Sequence, residues 1–137
     1  MKKLQLLAVL VVGLAAAGTI SAQSAAVRAK IPFSFVVNGT TLPAGEYTLR
    51  QQDSQPTMII READNSVGGL TLIAPITADS DRPAAPRLLF HRYGNEYFLS
   101  QVWTSGDRGE KIPLTRRELS LIARANVPGE SVTVAVR

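Results

Sequence analysis

The sequence predicts a single mainly β domain, either an antiparallel β-sandwich or a partly closed β-barrel of about seven strands, with one short C-terminal helix. Three observations favour this class. After Ala26, apolar residues recur with period two far more often than with period 3.6. Gly, Pro, Asn and Asp separate short runs rich in Val, Ile, Thr, Phe and Tyr. The 137 residues suffice for one modest core.

Residues 1–22 have the layout of a secretory signal peptide. Two lysines follow the initial methionine, the stretch 4–17 is mostly apolar, and small and polar residues lead to Ala22. We expect cleavage after Ala22, with Ala26 as the alternative, and a mature domain of residues 23–137. The apolar stretch is shorter than the roughly 20 residues of a spanning helix. We therefore expect export to the periplasm or the extracellular space and no membrane span after cleavage.

Composition excludes several classes of function. The chain has 15 Lys and Arg, 11 Asp and Glu, no cysteine and one histidine. Removing the leader takes away two lysines and leaves a net charge of +2, too small to indicate a nucleic-acid partner. Without cysteine there is no disulfide framework, and zinc prefers ligands that this chain lacks. The sequence thus predicts no enzyme, no catalytic, cofactor-binding or metal-binding residues, and no cofactor.

The sequence predicts strands and tight turns in the first half of the mature chain. The alternating run 33–37 precedes Asn38 and Gly39, which suit a type I′ turn. A second turn is predicted over Leu42–Gly45, with Gly45 in the left-handed conformation.

Two further strands are predicted before a long loop. Thr57–Glu62 should pair with Val67–Ala74, and the glycines 68 and 69 indicate a bulge. Pro75–Pro86 carries three prolines and two aspartates without apolar periodicity, which predicts a loop that is mobile or faces a partner.

The strongest local signal is a hairpin from Arg87 to Trp103 around Gly94 and Asn95, a pair suited to a type II′ turn. Five of the eight aromatic residues lie here. The predicted register pairs Tyr93 with Glu96, Arg92 with Tyr97, His91 with Phe98, Phe90 with Leu99, and Leu88 with Gln101. It gives an apolar face of Leu88, Phe90, Tyr97, Leu99 and Trp103, and a mixed face of His91, Tyr93, Phe98, Ser100 and Val102.

One helix is predicted near the C-terminus. Thr115 and Glu118 have the spacing of a capping box. The apolar side should consist of Leu119, Leu121, Ile122 and Ala125, and Asn126, Pro128 and Gly129 should end the helix. We expect this helix to pack over an edge or an open end of the sheet, followed by a last strand over Ser131–Arg137.

The alternatives to a non-catalytic protein depend on few residues. His91 could serve a Ser/His/Asp arrangement with Ser34 or Ser100, although an ordinary strand histidine is the favoured interpretation. A small hydrolase acting on polysaccharide or peptidoglycan would pair His91 with Asp79, Asp81 or Asp107.

Two binding surfaces are weaker candidates. A carbohydrate-binding platform would need Tyr93, Tyr97 and Trp103 exposed, whereas the predicted register turns Tyr97 and Trp103 into the core. The helix region could dock an acidic partner, although a solvated face is favoured; its basic residues are Arg108, Lys111, Arg116, Arg117 and Arg124.

Five segments of the mature chain form a combined pattern: Ile31–Val37 with Leu42–Tyr47, Phe90–Gly94 with Tyr97–Leu99, and Arg116–Leu119. This pattern resembles that of a family of small exported proteins of unknown function from soil bacteria of the acidobacterial kind. The resemblance covers most of the mature chain. It implies export and a β-rich domain, and it brings no reaction, substrate or cofactor.

The sequence thus predicts an exported structural or binding module of the cell envelope or extracellular space. Its partner would be another protein or an envelope polysaccharide. The segment Gln23–Lys30 or the last strand could add to the edge of a neighbouring sheet, which would give self-association.

Overall fold

A computed structural model describes residues 26–64, 66–78, 85–125 and 129–136. The predicted leader with the Ala22 cleavage site, Asp79, Asp81, and the helix-ending Asn126 and Pro128 lie outside the described residues. The described elements are β1 Ala26–Ile31, β2 Phe35–Val37, β3 Thr40–Leu42, β4 Gly45–Gln51, β5 Thr57–Glu62, β6 Val67–Leu72, β7 Ala74–Thr77, β8 Arg87–Tyr93, β9 Glu96–Trp103, β10 Arg108–Lys111, α1 Arg116–Ala125 and β11 Glu130–Ala135.

The strands form two sheets. Sheet A has the order β1-β4-β5-β6, and sheet B has the order β11-β8-β9-β10-β7. The hairpin of β2 and β3 joins sheet B through a parallel bridge between Val36 and Phe98. In the described part of the chain, neither sheet closes into a barrel. The predicted mainly β fold with one short helix is confirmed.

Both sheets contribute to one apolar core. Leu49 and Ile60 of sheet A, Phe90 and Val102 of sheet B, and Phe35 of β2 are fully buried in it. The rings of Phe35 and Phe90 meet edge to face, with centroids 5.6 Å apart. Alternating strand residues supply this core, as the period of two requires.

Three strands were not predicted from the sequence. Residues 26–31 form β1, which pairs with β4 and buries Val27, Ala29 and Ile31, so the expected free N-terminal segment is wrong there. The Pro75–Pro86 loop prediction is wrong for its first residues, because β7 pairs with β10. β7 stands at the end of the sheet B order, where proline is tolerated. The third unpredicted strand is β10, which begins at Arg108, soon after the end of β9.

The tight turns were mostly predicted correctly. Asn38 and Gly39 have φ angles of 48° and 81°, as a type I′ turn demands, and Gly94 has a φ of 63°. The prediction for Gly45 is wrong: it begins β4 opposite Ile31, and it is not among the residues with positive φ. The turn before Gly45 is instead held by the Tyr47 hydroxyl, which donates to the carbonyl of Pro43.

The predicted bulge in β6 is confirmed. Ile60 lies opposite Gly69 and Arg61 opposite Val67, so Gly68 is the extra residue. A Cβ atom at Gly68 would lie 3.3 Å from the Leu42 side chain. Glycine at this position therefore lets the β2–β3 hairpin pack closely against β6.

A second bulge, in β9, was not predicted. The register is as expected from Tyr93 and Glu96 to Phe90 and Leu99, but Leu89 then pairs with Gln101. Ser100 is thus the extra residue, and Leu88 lies opposite Val102 instead of Gln101.

This bulge exchanges two side chains between the faces of sheet B. Val102 enters the core, whereas Trp103 lies outside the core cluster with its ring below the Arg87 guanidinium, 4.9 Å away. The prediction that Trp103 belongs to the apolar face is therefore wrong, and so is the prediction that Val102 belongs to the mixed face. The indole NH donates to the Gln101 side chain at 2.9 Å.

No helix in the described residues is long and apolar enough to cross a membrane.

Gly109 faces the Trp103 ring, and an alanine there should destabilise the protein. Its Cβ would come within 2.8 Å of the ring and 2.9 Å of the Val102 carbonyl oxygen. We expect Gly109→Ala to lower the free energy of unfolding by about 1–3 kcal/mol in urea titrations. Gly45→Ala is the matched control, because its Cβ would meet only Tyr47 at 3.8 Å. Equal stability of the two variants would contradict this account of Trp103 packing.

Candidate functional site

Four polar side chains meet on the outer face of sheet B, and we call them the His91 cluster: His91, Tyr93, Ser100 and Glu118. The Glu118 carboxylate oxygen Oε1 lies 2.8 Å from His91 Nδ1 and 3.0 Å from the Tyr93 hydroxyl. On the other side of the imidazole, Ser100 Oγ lies 3.3 Å from Nε2. Ser100 and Glu118 retain only 5% and 3% of their surfaces exposed.

The local sequence explains how these groups meet. His91 and Tyr93 are two residues apart on β8 and so share a face. The bulge in β9 places Ser100 next to His91, and the Ser100 carbonyl accepts the Ile112 N–H at 2.8 Å. Glu118 lies in the first turn of α1, where its N–H donates to Thr115 Oγ1 at 3.3 Å. The Thr115 half of the predicted capping box is thus confirmed, whereas the Glu118 carboxylate bonds to His91 and Tyr93.

The docking side of α1 differs from the prediction. The residue that reaches the sheet is Glu118, whereas Leu119, expected on the packed side, is 50% exposed. Ala125 is also exposed, whereas Leu121 and Ile122 are half-buried as predicted. Glu118 bonds to His91 and Tyr93 on the outer face of sheet B, towards the end of β8. The sheet offers hydrogen-bonding partners at this point, and a carboxylate satisfies them where a leucine could not.

Hydrogen bonds link the four side chains of the cluster. Glu118 Oε1 accepts from the Tyr93 hydroxyl and lies within hydrogen-bond distance of His91 Nδ1. Nε2 of the imidazole faces the Ser100 hydroxyl, which can donate or accept. Burial, together with the hydrogen bond to Glu118 and the charge of Glu118, raises the pKa of Tyr93 to about 12.

The order serine, histidine, carboxylate is that of a nucleophilic relay. The sequence-predicted pairing of His91 with Ser100 is therefore present, whereas Ser34 lies exposed ahead of β2. The acid of this order, Glu118, belongs to α1, which docks on the same face. Ser100 is almost completely buried. The hydrogen bonds of Glu118 can hold α1 in place on sheet B.

Of the predicted hydrolase acids, Asp107 is the one among the described residues, and it does not lie beside His91. Asp107 bonds to Ser105 in the turn after β9, whereas His91 lies opposite Phe98, five residues before the end of that strand. At about 3.4 Å per residue, that offset is roughly 17 Å. In residues 26–64, 66–78, 85–125 and 129–136, no group of three His, Cys, Asp or Glu side chains could hold a metal ion.

The predicted aromatic platform does not form either. The Tyr97 ring stacks on Phe33 with centroids 3.8 Å apart, and Trp103 is buried below Arg87. Tyr93 is half-buried in the His91 cluster. These rings are used for packing, as aromatic residues in hairpins commonly are.

The basic residues around the helix are spread out and partly paired. Arg117 forms a two-pronged ion pair with Glu96, and this hydrogen bonding raises the pKa of the guanidinium. Arg108 lies on β10, and Arg124 lies in the last turn of α1. This distribution matches the favoured interpretation of a solvated face.

A groove on the outer face of sheet A was missed in the sequence. It has a volume of about 650 Å³ and is lined by Arg28, Thr48, Arg50, Ile59, Arg61 and Gln52. A second depression of about 470 Å³ adjoins it, since Arg28 and Thr48 line both. The alternation of basic with core residues in β1, β4 and β5 was the available signal, but pairing was needed to bring the arginines together.

Comparisons with protein-family models, with curated proteins and with solved structures found no match to this chain. The resemblance to small exported bacterial proteins therefore stays a prediction.

Replacing Glu118 should loosen α1. Glu118→Ala leaves the His91 and Tyr93 side chains without their shared acceptor, and we expect a loss of about 2–4 kcal/mol in the free energy of unfolding. Arg117→Ala, one position away, removes only an exposed ion pair and should leave stability nearly unchanged. Urea unfolding followed by far-ultraviolet circular dichroism measures both. A similar loss in the two variants would show that Glu118 does not hold the helix.

The raised pKa of Tyr93 should make stability fall in alkali. An unfolded tyrosine titrates near pH 10 and the folded Tyr93 near pH 12, so the folded state holds more protons between these values. The contribution of Tyr93 is complete below pH 10 and is lost as the pH rises through 12. Tyr93→Phe should show a shallower decline in unfolding free energy between pH 10 and 12, and an identical slope would contradict the assignment.

Proposed function

We propose that this protein is an exported, non-catalytic binding module of the cell envelope or extracellular space. Its binding face is the outer face of sheet A. The leader-like sequence of residues 1–22 supports export. The groove around Arg28 and Thr48 supports a binding role.

One observation carries the non-catalytic part of the proposal: Ser100, whose hydroxyl lies beside His91, is almost completely buried while Glu118 is bonded to His91. A nucleophilic serine must reach substrate while its histidine stays oriented by the acid. With 5% of its surface exposed, Ser100 does not meet the first of these conditions. The cluster is better suited to fixing α1 on sheet B.

A serine hydrolase is the second candidate, because the distances of 3.3 Å and 2.8 Å on either side of the imidazole favour it. It requires a path to Ser100 with Glu118 in place. A hydrolase based on Asp107 lacks this geometrical support.

The terminal strands offer a further way to bind a protein partner. β1 and β11 lie at the ends of their sheets' strand orders, and each pairs with one neighbour inside the chain. Self-association through these strands would add a neighbour's strand at β1 or β11, which also contact each other inside the chain.

Both parts of the proposal can be tested on one preparation. The full chain, expressed with its own leader in a bacterium that has two membranes, should be recovered from the periplasm with a mass that begins at Gln23. A fluorophosphonate probe should then label this protein no faster than it labels Ser100→Ala. Retention of the precursor in the cytoplasm would overturn the export proposal. Labelling that Ser100→Ala or His91→Ala abolishes would establish the hydrolase instead.

A further inference from the structure

The outer face of sheet A carries basic and aliphatic side chains in separate halves. Arg28 and Lys30 of β1, Arg50 of β4 and Arg61 of β5 point away from the core, and Glu46 is the acidic residue among these strand positions. Towards β6, the same face presents aliphatic residues: Ile59, Val67, Leu70 and Leu72.

The register brings the two halves into contact. Arg50 lies opposite Ile59, and Ile59 lies opposite Leu70. Neighbouring strands are about 4.8 Å apart, so the arginine backbone and the leucine backbone are separated by about 10 Å. Leu70 and Leu72 are 48% and 62% exposed. Large exposed aliphatic side chains grouped beside charges are typical of an interaction surface.

The basic half is shaped to accept anionic oxygen atoms. Arg28 and Arg61 both lie opposite Thr48, one on each side, and all three line the groove of about 650 Å³. Guanidinium groups bind phosphate with two parallel hydrogen bonds, and a threonine hydroxyl can add another. The groove of about 650 Å³ is lined by three arginines and one acid, Asp53. The adjoining depression is lined by two basic residues and by the acids Glu46 and Glu62, so the excess of positive charge lies in the groove.

We infer that the outer face of sheet A docks on an anionic lipid surface. The arginines around Thr48 bind headgroup phosphates, while Val67, Leu70 and Leu72 enter the boundary between headgroups and acyl chains. An acidic polysaccharide would engage the arginines but leave the leucines in water. A second copy of the chain would present the same positive face and be repelled.

This inference rests on the proposed binding role of sheet A and names its partner. Vesicle binding by the purified mature protein depends neither on export nor on the absence of catalysis. If the protein did not bind vesicles, the proposals of export and of a non-catalytic role would therefore still stand. If either of those proposals failed, the vesicle-binding result would still stand.

The test is co-sedimentation with vesicles of phosphatidylglycerol and phosphatidylcholine, and with vesicles of phosphatidylcholine alone. We expect at least about tenfold tighter binding to the anionic vesicles, weakened by salt. Arg28→Glu combined with Arg50→Glu should reduce binding about tenfold or more. Leu70→Ser combined with Leu72→Ser should reduce it about fivefold or more, because exposed leucines contribute apolar area without supporting the core.

Matched controls come from α1. Arg124→Glu changes an exposed arginine, and Leu119→Ser changes a leucine that is 50% exposed, close to the 48% of Leu70. Both should bind as the unchanged protein does, and circular dichroism confirms that every variant is folded. Equal binding to both vesicle types would overturn the inference, as would an equal loss in the α1 controls. Binding to polygalacturonate that needs the arginines but not the leucines, with no binding to vesicles, would assign the face to an acidic polysaccharide.

Discussion

The extra residue in β9 is the constraint on which the rest of sheet B depends. Without a bulge, strict alternation after Leu99 would send Trp103 to the core and Val102 outward. With Ser100 inserted, Val102 packs against the opposite sheet and Trp103 lies on the outer face below Arg87. The same insertion sets Ser100 beside His91. One unpaired residue thus decides both the filling of the core and the polar surface on which the helix docks.

Because of that polar surface, α1 docks through directional hydrogen bonds rather than through apolar contacts alone. A helix of ten residues is marginal in isolation and needs tertiary contacts to persist. Glu118 supplies two directional contacts from one oxygen atom, to His91 and to Tyr93. Gly129, just before β11, lies so close to the Tyr93 ring that a Cβ atom would come within 2.7 Å of it. Tyr93 is therefore in contact with both Glu118 and Gly129, which ties the helix and the start of β11 to the same point of sheet B.

Features set by neighbours in sequence could be predicted, and features set by pairing could not. The turns at Asn38, Gly39 and Gly94 could be predicted from the residue types, because few other residues adopt positive φ. The strand Thr57–Glu62 and the bulge at Gly68 follow from alternation and glycine. The bulge at Ser100 has no such residue, since serine is compatible with ordinary strand geometry. Glu118 was expected only to cap its own helix, because nothing in its local sequence shows that a histidine and a tyrosine lie across from it.

The two outer faces are built for different neighbours, and this difference supports the assignment of sheet A to an external partner. The outer face of sheet B is met by the chain's own helix, which brings a carboxylate to His91 and Tyr93 and leaves Arg117 to pair with Glu96. The outer face of sheet A has no covering element among the described residues, yet it carries Leu70 and Leu72 in exposed positions. Exposed aliphatic residues on an edge strand invite unspecific pairing, which charged side chains normally prevent. Here the charges lie on the neighbouring strands instead of on β6, so the face remains apolar at one side and cationic at the other. A surface divided in this way matches an anionic amphiphile, whose charged group can meet the cationic side and whose apolar part can meet the aliphatic side.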